Sequence, residues 1–216
     1  MPTTTLTLET TRERLLEAAG QVFAERGFEH ATIREICRRA KANIASVNYH
    51  FRGKKGLYAE VLAHGAQQRV EAFPPSLGLG AKPSAEAQLH AFIYSFLCRF
   101  LKIDQRANWY ATLCAREMVQ PTIALDRVVD QIIRPLAERL TGIVRTLLAP
   151  GASAEEVRRC ALSIVGQCLF YHHSQPVLER LYGRRRYRDA DIKRLADHIT
   201  RFSLAALRAR RTTKER

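Results

Sequence analysis

The chain has 216 residues, 46% of them hydrophobic and 26% charged, a globular balance that argues against wholesale disorder. Its 35 Lys and Arg against 21 Asp and Glu leave a net charge of +14, which favours polyanionic partners such as nucleic acid or an anionic membrane surface. No stretch reaches the ~18 uninterrupted apolar residues of a membrane span. The N-terminal MPTTTLTLETT has neither the basic start nor the apolar core of a secretory signal, so a cytoplasmic protein is expected.

The charge is uneven. Residues 34–55 hold seven basic groups against the single Glu35, and residues 180–216 hold 13 against four. Five cysteines (37, 98, 114, 160 and 168) are odd in number, widely spaced and without a CxxC pair. They read as reduced, buried thiols rather than a disulfide framework or a zinc knuckle.

In chain order, almost every segment has helical period and no alternating run suggests a sheet. A first helix is expected over 11–26, with Leu15, Ala19, Val22 and Phe23 on one stripe and Gly27 as its stop. Thr32 reads as an N-cap with Glu35 completing a capping box, opening a short helix over 33–40. After the turn Lys41-Ala42-Asn43, Asn43 caps a second short helix over 44–51, and a fourth helix is expected over 54–72. The Pro-, Gly- and Ser-rich segment 74–84 reads as a linker separating a domain at 9–72 from one at 84–210. Beyond it, helices are expected over 84–102, 106–119, 122–149, 154–173 and 189–210, with Pro135 kinking or splitting the third. Ser153 ahead of Glu155 and Glu156 is a strong helix start. Pro176 begins a short extra turn, and GRRRYR (183–188) reads as a loop. The fold class is all-α in two parts: an N-terminal three-helix domain and a larger helical one.

Two short helices joined by a tight turn describe a helix-turn-helix at about 32–51. Ile33, Ile36, Ala40, Ile44, Val47 and Phe51 form its expected inward face. Ala45, Ser46, Asn48, Tyr49 and His50 are left outward on the second helix, which enters a major groove by its N-terminal end. Arg34, Arg38, Arg39, Arg52, Lys54 and Lys55 flank it as phosphate contacts require.

The stretch from Thr11 to Leu62 resembles the N-terminal domain of TetR-family transcriptional regulators, through RERLLEAAGQVFAERGFEHATIREICRRA and NYHFRGKKGLY. The resemblance implies that Thr32, the recognition-helix residues and Lys54 touch DNA. Asn48 departs from it, where many members have tyrosine, and so does Lys41-Ala42, where Gly-Val is common. REMVQPTIALDRVVDQIIRP (116–135) and SIVGQCLFYHHSQPVLERLYG (163–183) resemble the ligand-binding domain of the CecR-like subgroup, as does VNYHF.

In this second half, Phe92, Phe96, Phe100, Trp109, Tyr110 and Leu113, with Glu117 and Arg116 supplying charge, are candidates to line an effector cavity. The segment from Cys160 to Leu178 contains no Lys, Arg, Asp or Glu, and carries more apolar surface than one domain needs. Gly166, Leu169 and Phe170 share a stripe of it, which with the last helix is assigned to a homodimer interface. His172 and His173 are adjacent, about 100° apart on a helix, which disfavours a shared metal ion. No cofactor motif, catalytic triad order, paired carboxylates or phosphate-binding Gly loop is present in the sequence. The expected function is a homodimeric, sequence-specific DNA-binding regulator, a repressor released from a palindromic double-stranded operator by a small-molecule effector. Rival readings are an all-α enzyme using Cys or His, and a non-specific nucleic-acid packaging protein relying on the basic C-terminal tail.

Overall fold

The computed structural model describes residues 10–102, 108–183 and 187–213; residues 184–186 of the GRRRYR loop and the last residues of the basic tail lie outside them. The described residues form helices and their connections, with no strand among them. They fall into two compact units, one formed by Met1–Gln67 with Asp104–Ile132 and the other by Gln68–Ile103 with Ile133–Arg216.

In the first unit, α1 (Thr11–His30) starts from a capping box: the Thr10 hydroxyl accepts from the Glu13 amide and the Glu13 carboxylate accepts from the Thr10 amide. Gly27 leaves the helical region at φ 75°, so the helix breaks where the sequence places its stop, and one further turn follows to His30. Thr32 caps α2 (Ile33–Ala40) by accepting from the Glu35 amide, but the Glu35 carboxylate turns to Arg38 and Arg39 instead of closing the box. Lys41 ends α2 in the left-handed region at φ 51°, the conformation for which glycine is better suited. The Asn43 side chain then accepts from the Ala45 amide and starts α3 (Ile44–Phe51), and α4 (Lys54–Ala72) follows.

The first unit closes around Leu15, Leu16, Val22, Phe23, Ile36, Val47, Phe51, Leu57 and Val61. Ile36, Ala40, Val47 and Phe51 are buried as expected, whereas Ile33 is half-buried and Ile44 is 47% exposed. Ile44 shares the spacing of the inward stripe, but as the first residue of its helix it has helical neighbours on one side only. Two later elements complete this unit, α6 (Asn108–Val119) and α7 (Ile123–Val128). The compact units are thus interleaved along the chain, because α6 packs on α1 and brings its segment back to the first unit. Trp109 and Leu113 join the core through this return.

In the second unit, α5 (Ala85–Leu101), α8 (Arg134–Leu147), α9 (Ala154–His173) and α11 (Asp189–Thr213) enclose Leu89, Ile93, Leu97, Leu140, Val144, Ile164, Ile192 and Ile199. The short α10 (Gln175–Tyr182) follows α9. Ser84 and Ser153 cap α5 and α9 by accepting amides three residues on. Pairs Glu86–Arg208, His90–Asp197 and Lys102–Asp189 run in opposite order along α5 and α11, so these two helices lie antiparallel. The expected single helix over 122–149 is split as Pro135 predicts: a π-helical turn, Val129–Ile133, separates α7 from α8, which opens with Pro135 in its first turn. No helix among the described residues is long and apolar enough to cross a membrane.

Close packing of α6 against the first unit gives a measurable consequence. A Cβ on Gly20 would sit 2.6 Å from the Trp109 ring, while one on Gly142 of α8 meets nothing within 4 Å. Gly20→Ala is expected to destabilise the protein by about 1–3 kcal/mol through overpacking. Gly142→Ala is expected to stabilise it by up to about 1 kcal/mol through helix propensity. Urea unfolding midpoints of the two variants, moving in opposite directions, check both.

Candidate DNA-binding site

The turn between α2 and α3 is built by side chains that are spent on backbone. Thr32 and Asn43 cap the two helices, and the Ala42 amide returns to the Cys37 carbonyl at 3.0 Å. Val47 and Phe51 anchor α3 inward, four residues apart on one face. That anchoring leaves Ala45, Asn48, Tyr49 and His50 exposed and Ser46 half-buried. Tyr49 is 84% exposed and stands edge-on to His50, with ring centroids 4.9 Å apart. An aromatic ring held in water beside polar residues, on a helix two turns long, is suited to the base edges and thymine methyls of a major groove. Thr32 is exposed, and its hydroxyl oxygen already accepts the cap bond, so its proton is available to a phosphate.

The basic groups divide in two. Arg34, Lys41, Arg52 and Lys55 are exposed and have no ion pair among the described residues. Arg38 and Arg39 converge on Glu35 at 2.9 and 3.0 Å, and Arg39 makes a second, two-pronged bond to Glu25 at 2.6 and 2.7 Å. Arg39 therefore ties α2 to α1 rather than standing as the free phosphate contact expected from charge alone. The i,i+3 and i,i+4 spacing of Glu35 to these arginines is the sequence signal for that role. The Arg38 and Arg39 guanidiniums bring the Glu35 carboxyl down from 4.5 to about 2. Lys54 is half-buried, with its ammonium 4.7 Å from the centroid of the Phe28 ring and 3.0 Å from the Glu29 carbonyl oxygen.

A second network joins α6 and α7 to the DNA-binding helices. The Trp109 indole donates to the Glu17 carboxylate at 3.2 Å, Arg116 donates to the Phe23 carbonyl at 2.8 Å, and Glu60 bridges Arg12 and Arg127 at 2.8 and 2.5 Å. Glu117 is buried and accepts from the Tyr58 hydroxyl at 2.8 Å and from the Thr122 amide at 2.9 Å. Burial, and then the bond to Glu117, push the Tyr58 hydroxyl above its ordinary range, so it remains a donor. Sequence reasoning missed this network, because no local spacing links Tyr58 to Glu117.

The expected effector cavity is divided. Trp109, Tyr110, Leu113 and Glu117 belong to the first unit, where Trp109, Leu113 and Glu117 are buried in its packing. Phe92, Phe96 and Phe100 belong to the second unit, with Phe96 4.9 Å from Phe100 and Phe100 5.0 Å from His172. Of the expected interface residues, Gly166 and Phe170 are exposed and Leu169 is half-buried. The uncharged part of α9 is thus two-faced: Ala161, Ile164 and Cys168 point into the core, and Leu162 and Phe170 point out.

A helix-turn-helix with a polar-aromatic outer face, joined to a larger helical unit, defines a DNA-binding transcriptional regulator. The family model for bacterial regulatory proteins of the tetR family matches residues 15–61, and that for the C-terminal domain of the HTH-type transcriptional dual regulator CecR matches residues 85–207. The chain belongs to the TetR family, with a C-terminal domain of the CecR type. It is 28% identical over 212 residues to the HTH-type transcriptional repressor NicS of Pseudomonas putida, covering 93% of this chain and 92% of NicS. It is 28% identical over 178 residues to the HTH-type transcriptional dual regulator CecR of Shigella flexneri, covering 79% of each. The crystal structure of the transcriptional regulator FadR from Bacillus subtilis in complex with stearoyl-CoA shares the fold, with a TM-score of 0.65 at 17% identity over 89% of this chain and 97% of FadR.

The Glu35 cluster has a defined pH dependence. A carboxyl whose value is lower in the folded state stabilises the fold above its unfolded value and ceases to do so as the group protonates. The contribution of Glu35 is complete above pH 4.5 and is lost as the pH falls from there toward 2. In Glu35→Gln the acid limb of the stability–pH curve is expected to flatten, as followed by thermal unfolding at a series of pH values. An acid limb of unchanged steepness would refute the role of the cluster.

Proposed function

We propose that the protein is a cytoplasmic, homodimeric repressor that holds a palindromic operator and releases it when a small molecule occupies the second unit. The observation that carries the DNA part is the α3 face: Ala45, Asn48, Tyr49 and His50 exposed together, with Arg34, Arg52 and Lys55 exposed around them. Base readout falls to Tyr49, Asn48, Ser46 and Ala45, and backbone contacts to Thr32, Arg34, His50 and Lys54. The relative NicS is named a repressor and CecR a dual regulator, which supports repression as one mode.

Dimerisation is proposed through α9 and α11. Leu162, Gly166, Leu169 and Phe170 follow helical spacing on α9, and Phe202 on α11 is 62% exposed. Nothing lies within 4 Å of a Cβ placed on Gly166, so a partner helix can approach closely there. Covering these side chains by a second copy removes them from water and sets two recognition helices at a fixed spacing. The effector reading is confined to the second unit, beside Phe96, Phe100 and His172, with the buried Arg99 guanidinium over the Phe96 ring. FadR, of similar fold, is described in complex with stearoyl-CoA, which supports a ligand-responsive second unit in this chain too. A ligand that favours the spacing unsuited to DNA by about 1–3 kcal/mol lowers operator affinity some 5- to 150-fold.

Two experiments test this reading. Selection of bound duplexes from random DNA should return a palindrome, and Tyr49→Ala should blunt discrimination between that duplex and random sequence, read by competition binding. Lys54→Ala should instead weaken all sequences alike and reduce the salt dependence by about one unit per half-site. For assembly, Phe170→Arg places like charges in a desolvated seam twice over by symmetry. Its expected product is a monomer with unchanged helical circular dichroism and little operator binding; a stable dimer in sedimentation would remove α9 from the interface.

A further inference from the structure

We propose that Glu117 is a positioning residue for the DNA contact at Lys54, acting through Tyr58 and Phe28. The inference rests on the reading of Lys54 as a phosphate contact. Each link is a direct contact within the first unit. Glu117 on α6 is 2% exposed, and its oxygens accept from the Tyr58 hydroxyl at 2.8 Å and from the amide and hydroxyl of Thr122 at 2.9 and 3.1 Å. The Tyr58 ring, itself buried, stands 5.0 Å from the Phe28 ring and 4.9 Å from that of Phe23. Phe28 in turn carries the Lys54 ammonium on its face, 4.7 Å from the ring centroid, and the neighbouring Glu29 carbonyl holds the same ammonium at 3.0 Å. Lys54 and Tyr58 are four residues apart on α4, so both reach the same side of the helix.

Phe28 follows Gly27, where α1 leaves helical geometry at φ 75°. Its ring therefore rests on the short turn after a break and is braced by Phe23 and Tyr58 rather than by continuous helix. An ammonium has three donors, and the Glu29 carbonyl uses one, leaving protons for a phosphate from a fixed position. Space-filling alone does not call for a carboxylate at Glu117, since burying one among neutral donors is costly. What the carboxylate does provide is an acceptor strong enough to hold the Tyr58 hydroxyl and the start of α7 at once.

The test is a double-mutant cycle on the full-length dimer, using as probe a duplex selected by the wild-type protein from a random pool. Tyr58→Phe and Glu117→Gln are each expected to weaken binding about tenfold and, like Lys54→Ala, to lower the salt slope by about one unit per half-site. Lys54→Ala should cost little more in the Tyr58→Phe background, while Lys55→Ala adds in full in both backgrounds. Phe28→Leu, which removes the aromatic face with Tyr58 and Glu117 intact, should reproduce the lowered slope. A variant that merely misfolds loses active fraction and leaves the slope unchanged, so unchanged slopes in Tyr58→Phe and Phe28→Leu overturn the proposal. Full additivity of Tyr58→Phe with Lys54→Ala overturns it as well, with the Lys54 contact left standing. A silent Lys54→Ala removes the contact itself and the positioning role with it.

Discussion

The packing of Trp109 onto the DNA-binding helices is the constraint on which the first unit depends. Its ring lies where a side chain at Gly20 on α1 would stand, the neighbouring Tyr110 ring fills the corresponding space at Gly65 on α4, and the Trp109 indole nitrogen finds the Glu17 carboxylate. A three-helix domain of some fifty residues has little apolar surface to bury on its own. Here the deficit is met by a segment more than forty residues downstream of α4's midpoint, which contributes Trp109, Leu113, Ala124 and Val128 to the same core. Small residues on α1 and α4 and two large ones on α6 are complementary parts of one packing solution. The recognition helix is held by a scaffold that includes α6 and α7, and every polar tie described above (Glu17, Tyr58, Glu60, the Phe23 carbonyl) reinforces it.

Charge is arranged by the same logic. A dense basic cluster would repel itself within a compact fold, and two acids, Glu25 and Glu35, absorb Arg38 and Arg39. Arg34, Lys41, Arg52 and Lys55 are exposed without an ion pair among the described residues, whereas Arg38, also exposed, is held by Glu35. Two of the seven basic groups of the stretch are thus paired within the fold. Lys54 is intermediate, set in place by the Phe28 ring and the Glu29 carbonyl.

Local features were legible in the sequence because their causes are local. The caps at Thr32, Asn43 and Ser153, the break at Gly27 and the split at Pro135 each follow from a residue's own backbone chemistry. The outward face of α3 was legible for the same reason, being fixed by the four-residue step from Val47 to Phe51. The return of α6 and α7 to the first unit was not, because α6 packing on α1 is a long-range pairing with no local spacing to announce it. For the same reason the sequence did not show that Trp109, Leu113 and Glu117 are buried in the first unit. Aromatic and apolar residues in helical period look alike whether they line a pocket or fill a core, and only their partners tell them apart.

Chain connectivity gives this packing a structural consequence. The segment that completes the first unit is flanked in sequence by α5 and α8, both of the second unit, so the chain passes from one unit to the other on each side of it. On the C-terminal side the passage falls at the π-helical turn Val129–Ile133, next to Pro135. An extra residue in a turn and a missing amide together weaken the helical ladder there, so α7 and α8 are free to answer to different cores. By interrupting the helix, the sequence lets Ala124 and Val128 pack with Trp109 while Leu140 and Val144 pack with Ile93 and Ile164.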